Sequence, residues 1–311
     1  MSAVRRLAVV GAGVAGGALM AAYVSARRVA HDHVRDQLDQ RRPRPTPPGA
    51  VRCSVIVPAY REPNIGGAVA GIRAALAELD EQGELEIVVV DDGSHDGTAE
   101  RAELAGADLV LRQPVNRGKG AAVRAGMLAA HGRTLVFTDA DLSYQPDQVL
   151  GLLDKVEAGW DVVVGSRRHN DTTTLVRARR LREVGGRAIN LLTRAVLLGN
   201  HHDTQCGLKA FRSDAARLVF SHSHIDGFAF DVEVFLLVER YGLSLAEVPV
   251  RLSNSQRSSV RVVRDAVRLV RDLFRVRAWV AMGVYDLRPG EPVPLELPGR
   301  AQPARGGGRP D

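Results

Sequence analysis

Two carboxylates, Asp139 and Asp141, close the apolar run Thr134-Leu-Val-Phe-Thr-Asp-Ala-Asp-Leu142. The run reads as a buried strand, and alternation along a strand puts residues i and i+2 on the same side. Two hard oxygen donors placed side by side suit Mg²⁺ or Mn²⁺ carrying a diphosphate. The same pair also fits a plain loop that caps the next helix, so its meaning depends on what stands around it.

Three further segments offer groups for a nucleotide sugar. In Val57-Pro-Ala-Tyr-Arg-Glu62, Tyr60 has a face on which a base can stack, and Glu62 can accept from base or ribose. In Val90-Asp-Asp-Gly-Ser-His-Asp-Gly97, Asp92 is placed to hold the uracil or the ribose, and Gly93 permits a tight turn. Asn116-Arg-Gly-Lys-Gly120 opens a helix, where backbone amides and the positive helix end can meet an anion with help from Lys119. Each segment taken singly is also an ordinary turn, cap or solvated loop. Their order ahead of Asp139-Ala-Asp141 makes them specific.

The elements that must position these residues alternate. Strands are expected at Cys53–Pro58, Leu85–Val90, Leu109–Arg112, Leu135–Thr138 and Asp161–Val164, with helices at Ile65–Leu79, Thr98–Leu104, Gly120–Ala130 and one opened by Pro146. Such alternation predicts an α/β fold, a mostly parallel sheet with helices on both faces. Ligands of such sheets gather outside the carboxyl ends of the strands, where all four segments fall. Beyond Gly165 come a basic helical region over 178–198, a strand-and-turn stretch around Cys206–Arg212, a helix at Phe230–Tyr241 and a strand at Leu245–Val250.

Composition narrows the partners. A chain of 311 residues with net charge +6 can bury one large α/β domain, placed at 51–256. Nucleic acid is not expected, because the arginines cluster with little aromatic interleaving; anionic lipid and phosphate ligands account for the charge more economically. Cys53 and Cys206 form neither a metal-ligand spacing nor a disulfide framework, which fits a reducing compartment.

The uncharged run Leu7–Ala26 is long enough to cross a ~30 Å hydrocarbon core, so residues 1–30 are expected to form a transmembrane anchor. The run also contains Gly11-Ala-Gly-Val-Ala-Gly16, a dinucleotide-binding pattern, but the following strand and acid that the pattern needs are missing. A cleaved signal peptide is a third reading. Arginines crowd after the run, which places the remainder on the cytoplasmic side. Residues 31–50 read as a basic, proline-rich linker. Residues 257–287 read as a basic amphipathic helix, with Val260, Val263, Val267, Val270 and Phe274 on one face, lying either at a membrane interface or on the domain with a solvated basic side. Residues 288–311 lack apolar periodicity and are expected to be disordered.

Ser54-Val-Ile-Val-Pro-Ala-Tyr-Arg-Glu62, Val90-Asp-Asp-Gly-Ser94, Asn116-Arg-Gly-Lys-Gly120 and Asp139-Ala-Asp-Leu-Ser143 together resemble the inverting glycosyltransferases of family 2, which have the GT-A fold. Val164-Gly-Ser-Arg167, Asp203-Thr-Gln-Cys-Gly-Leu-Lys-Ala-Phe211 and Phe228-Ala-Phe-Asp-Val-Glu233 are similar to the dolichyl-phosphate β-glucosyltransferase branch and, more distantly, to dolichyl-phosphate mannose synthases. The likeness runs from about Cys53 to Val250.

The resemblance implies transfer of glucose from UDP-glucose to a polyprenyl or dolichyl phosphate at the cytosolic membrane face. It implies donor contacts at Pro58, Ala59, Tyr60, Glu62, Asp92, Gly118, Lys119, Asp139 and Ala140, with Mg²⁺ or Mn²⁺ at Asp139 and Asp141, chiefly Asp141. Arg167, Arg182 and Gln205 would hold the acceptor, and Asp231 would act as base for a hydroxyl acceptor or otherwise orient the sugar or a basic side chain. Two departures stand out: Gly186 falls where the mannose synthases have a serine, and Arg257-Ser-Ser-Val260 where relatives have Gly-Ser-Lys, so Arg257 or Arg261 would substitute for the lysine. Other readings are a family 2 enzyme using GDP-mannose, UDP-N-acetylglucosamine or a hydroxyl acceptor, and a tethered nucleotide-sugar-binding protein without catalysis. A sugar-phosphate nucleotidyltransferase is disfavoured, because Tyr60-Arg-Glu-Pro63 lacks its glycine-rich first loop.

Overall fold

Strand β1 (Val51–Ala59) lies inside the sheet with apolar side chains on both faces, the pattern of an interior parallel strand. Cys53, Val55 and Val57 pack into one helical layer, while Ile56 faces the other. The computed structural model describes residues 45–166, 173–174, 206–252 and 262–287. The apolar run Leu7–Ala26, the basic region 178–198, Arg167, Arg182, Gly186, Gln205, Arg257, Arg261 and the tail from 288 lie outside the described residues.

After β1 come α1 (Ile65–Ala75), α2 (Ala77–Glu81), β2 (Leu85–Asp91), α3 (Thr98–Leu104), β3 (Leu109–Arg112), α4 (Lys119–Ala129), β4 (Gly132–Phe137), α5 (Gln148–Glu157), β5 (Val162–Ser166) and β6 (Thr173–Thr174). Then follow β7 (Lys209–Arg212), α6 (Ser213–Ser221), α7 (Phe230–Arg240), β8 (Leu245–Pro249), β9 (Arg251–Leu252) and α8 (Val262–Ala281). Seven strands form one sheet in the order β3-β2-β1-β4-β7-β5-β8. Strand β7 alone runs against its neighbours in this sheet, pairing antiparallel with β4 and β5; the other pairs are parallel. The expected largely parallel α/β sheet is therefore present, consistent with a GT-A-like fold.

Four details depart from the sequence reading. The helix expected over 65–79 breaks at Leu76, whose non-helical backbone lets Leu76 and Leu79 both reach the core. Helix α6 was not expected; it is short, nine residues, and its polar stripe Ser213, Asp214, Arg217 and Ser221 is buried at its first turn, where Ser213 and Asp214 are covered. The folded unit begins before Val51: the Pro45 and Pro48 carbonyls accept from Arg212 Nη2 at 3.1 Å and from Ser213 Oγ at 2.5 Å, satisfying donors at the start of α6.

The fourth concerns α8. Leu273 and Val276 are buried and Phe274 is 64% exposed, so the packed face is not the one that carries Phe274. Trp279 and the buried Tyr285 complete this contact around His224. In its second half the helix is packed on the domain with Arg271, Arg275 and Arg277 outward, one of the two arrangements expected. Among the described residues no helix is long and apolar enough to cross a membrane.

Candidate active site

The antiparallel strand β7 brings the site together. Its register sets Lys209 opposite Phe137 of β4 and Val164 of β5, so the turn at Cys206-Gly207 lies beside the residues that follow β4. Asp139 fills the space a Gly207 side chain would need: a Cβ there would stand 2.1 Å from Asp139 Oδ2. The other oxygen, Oδ1, accepts from Lys119 Nζ at 2.5 Å. Asp141 turns differently, its Oδ1 accepting the Ser143 amide at 3.0 Å.

Between these segments the backbone is held out of its ordinary range. Leu142 has φ +48°, and Arg61, in the loop after the neighbouring strand β1, has φ +51°; these are the positive-φ non-glycine residues among the described ones. Such conformations cost of order 1–3 kcal/mol and persist where the surroundings enforce them. At Leu142 the enforcement is packing: it sits against α1, where a side chain at Gly71 would come within 3.2 Å of its Cδ1. Arg61 donates its amide to Ser94 Oγ at 2.8 Å, joining the loop after β1 to the loop after β2.

A second acid–base pair lies behind the first. Lys209 is fully buried, and its Nζ donates to Asp231 Oδ1 at 2.6 Å and to the Cys206 carbonyl at 2.5 Å. The Phe137 and Phe235 rings lie 5.1 and 5.8 Å from the ammonium, which favours a cation there. Burial pushes the Asp231 carboxyl upward in pKa, and Lys209 and Lys119 pull it back. Burial likewise disfavours the Lys119 ammonium, but Asp139, Asp231 and Asp141 outweigh it and hold its pKa above the usual lysine value.

The donor-side residues Tyr60 and Asp92 follow the carboxyl ends of β1 and β2, at the same end of the sheet as Asp139, though not all with free groups. Tyr60 is 44% exposed, with the Arg61 guanidinium 5.2 Å from its ring centre, leaving area for stacking. Asp92 is buried, and its two oxygens accept the amides of Arg117 at 2.9 Å and Gly118 at 2.8 Å. Burial raises its pKa against the pull of those amides. Asp92 therefore shapes the loop ahead of α4, and the Gly118 amide, expected to face an anion, is already used. The Ala121 amide is taken by the Asp226 carbonyl at 3.2 Å. Side chains at Gly118 or Gly120 would collide with the backbone of Ile225 and Asp226, so both glycines serve this close approach. The amides of Gly118 and Ala121 are thus engaged within the protein, and the Lys119 side chain is the group of α4 that reaches Asp139.

Lys209, Gly207, Asp226 and Glu233 escaped the sequence reading as site residues. Glu233 accepts the His224 and Ile225 amides and the Tyr285 hydroxyl, the last at 2.7 Å, and so fixes the loop that packs on α4. Lys209 carried a signal: a lysine inside the apolar stretch Cys206–Phe211 needs a buried acid, and Asp231 is that acid.

A divalent cation fits this donor set. Among the described residues no group of three metal-binding side chains comes together, and Asp139 and Asp141 are the two carboxylates that follow β4. That suits Mg²⁺ or Mn²⁺, which take one or two carboxylates and complete their shell with phosphate oxygens and water. The Lys119 ammonium already shows that Asp139 Oδ1 receives a cation.

Residues 54–220 match the glycosyl transferase family 2 pattern. The chain belongs to that family. This family 2 glycosyltransferase is 33% identical over 254 residues to dolichyl-phosphate beta-glucosyltransferase of Drosophila melanogaster, covering 76% of this chain and 78% of the relative. It is 29% identical over 256 residues to a Trichomonas vaginalis enzyme of the same name, covering 78% and 77%. Its fold is similar to that of Mycobacterium tuberculosis glucosyl-3-phosphoglycerate synthase, crystallised with Mn²⁺, UDP-glucose and phosphoglyceric acid, with TM-score 0.52, 21% identity and 78% and 82% of the two chains covered.

Proposed function

We propose that this transferase moves a hexose from a UDP-sugar to a phosphorylated acceptor with inversion, and that the pair is UDP-glucose and a polyprenyl or dolichyl phosphate at the cytosolic membrane face. The observation that carries the reading is the Lys209–Asp231 pair. The buried Asp231 carboxylate, which interacts electrostatically with Asp139, is committed to a lysine, which suits a nucleophile that arrives already ionised. A phosphate monoester, with a second pKa of about 6, is such a nucleophile. The names of the relatives agree with it.

In this reading an acceptor phosphate oxygen attacks the anomeric carbon from the side opposite UDP. The new C–O bond forms as the bond to the diphosphate breaks, and its electron pair leaves on UDP. Tyr60 stacks on the base, Glu62 accepts from the nucleoside, and Asp139 and Asp141 carry the diphosphate with its divalent cation. That cation supplies charge neutralisation on the leaving group. Lys119 adds a second positive charge at the same place. Arg167, Arg182 and Gln205 hold the acceptor. Deprotonation contributes little, and alignment of the two phosphates carries the rate. The apolar run Leu7–Ala26 anchors the chain to the membrane.

The test is glycolipid formation with UDP-glucose, GDP-mannose and UDP-N-acetylglucosamine in parallel, each offered polyprenyl phosphate or 3-phosphoglycerate. Glucose on the lipid is the expected product. In the same assay Arg182→Ala should raise the acceptor KM about tenfold to hundredfold, the worth of one charge-assisted phosphate contact. Product only with 3-phosphoglycerate, or a kcat collapse confined to Asp231→Asn under conditions where that variant is shown by thermal melting to be folded, would replace the lipid phosphate with a hydroxyl acceptor.

A further inference from the structure

Lys119 already holds the place a metal would want. Its Nζ lies on Asp139 Oδ1 at 2.5 Å, with the two side chains 21% and 31% exposed. The partners are fixed from several directions. Asp139 Oδ2 is wedged against Gly207, so the carboxylate cannot easily turn its other oxygen outward. Lys119 is the first residue of α4, and the turn leading into it is tied by Asp92 to the end of β2 and by the Asp226 carbonyl to the start of α7. Its ammonium also lies 6.0 Å from the Phe230 ring centre. A divalent cation approaching Asp139 Oδ1 must displace a resident positive charge.

The charges on either side of that exchange are unequal. Asp139, Asp141 and Asp231 set three carboxylates against the two ammonium groups of Lys119 and Lys209, one negative charge in excess. Adding a divalent cation alone reverses the sign and places it beside Lys119. Adding the cation with a diphosphate makes the site net negative again and gives the displaced ammonium a phosphate oxygen to bind.

We propose that Lys119 competes with the divalent cation for Asp139, and that the nucleoside diphosphate relieves the competition by taking the ammonium, so that metal and donor load together. The proposal rests on the transferase reading only for the identity of the diphosphate. Its consequence is a coupling: each of the two ligands raises the affinity for the other, by the same factor in both directions. Removing the ammonium should strengthen metal binding alone and weaken the coupling.

The experiment is a Mn²⁺ titration of the full chain, stripped with chelator and followed by the electron paramagnetic resonance of free Mn²⁺, with and without UDP. The proteins are the wild type, Lys119→Met and the conservative Lys119→Arg. Thermal melting checks the fold, and Lys119→Gln replaces the methionine variant if that one fails to fold. Without UDP the neutral variant should bind Mn²⁺ about tenfold tighter than wild type, the effect of removing a partly screened like charge. Its gain in Mn²⁺ affinity on adding UDP should shrink by a similar factor, and Lys119→Arg should stay near wild type. Adding Asp139→Asn to the neutral variant should abolish the tenfold gain. Metal-only binding no tighter in the neutral variant than in wild type, absence of binding in both included, overturns the exchange, as does a gain that survives Asp139→Asn. The transferase reading is judged separately, by whether wild type binds UDP in the presence of Mn²⁺.

Discussion

Lys209 and Asp231 meet at 2.6 Å in the interior, the lysine fully buried and the aspartate nearly so, and they join the only antiparallel strand of the seven-stranded sheet to the first turn of α7. Removing one member of such a pair leaves an uncompensated buried charge and costs about 3–5 kcal/mol, whereas replacing both need cost little. Urea denaturation of Lys209→Met and Asp231→Asn should show losses of that size, with the double variant recovering a large part. Additive losses in the double variant would mean the two residues do not act as a pair.

Gly207 is the next point of leverage. A methyl group there must push Asp139 Oδ2 from 2.1 Å to contact distance, so Gly207→Ala should lower transfer sharply while the protein stays folded. Gly151, inside α5 with nothing within 4 Å of its would-be Cβ, is the control. Gly151→Ala should leave activity unchanged and add about 0.4–1 kcal/mol of stability. Equal activity in the two variants would remove the steric account of Asp139.

Asp141 has a different environment, its described contact being the Ser143 amide at 3.0 Å. Asp141→Asn should therefore keep its fold and lose Mn²⁺-dependent UDP binding, measured by calorimetry. Unchanged binding would move the metal to other ligands.

A pH effect is expected at the opposite end of the strands. Burial pushes the Glu86 carboxyl upward, but the His131 amide and ring and the Ser54 hydroxyl outweigh it and hold its pKa below the ordinary glutamate value. A depressed carboxylate contributes stability above its unfolded pKa of about 4.3 and loses it as pH falls toward the folded value. Wild type should thus exceed Glu86→Gln in melting temperature at pH 6, with the gap closing below about pH 4. A gap that persists at pH 3 would show that charge is not its origin.

Much of this arrangement was legible from residue order. Strands β1 to β5 and their helices came from apolar runs broken by glycine, proline and acid, because parallel strands buried on both faces leave that trace. Asp139 and Asp141 were found because they end such a run. What stayed hidden depends on contacts between distant segments. Nothing near Gly207 announces that Asp139 occupies its missing side chain, since the two lie in loops beside different strands, one after β4 and one before β7. Asp92 was legible as a donor-side acid after a strand, but the bonds its two oxygens make to the Arg117 and Gly118 amides needed the loop's path. That Leu273 and Val276 of α8 dock on the domain, while Phe274 stays exposed, depends on Trp279 and Tyr285 beyond them and could not be read from helical spacing alone.

The bond from Tyr285 to Glu233 sets a limit on how far this enzyme can be shortened. The family pattern ends at residue 220, yet Glu233 is fully buried and Tyr285 supplies its hydroxyl partner from 52 positions further along the chain. A version ending after β9 would strip Leu273, Val276 and Tyr285 from the core and open Glu233 to water, loosening the loop that seats α4 and, through it, Lys119. The folded core therefore extends through Leu287, well beyond residue 220 where the family pattern ends.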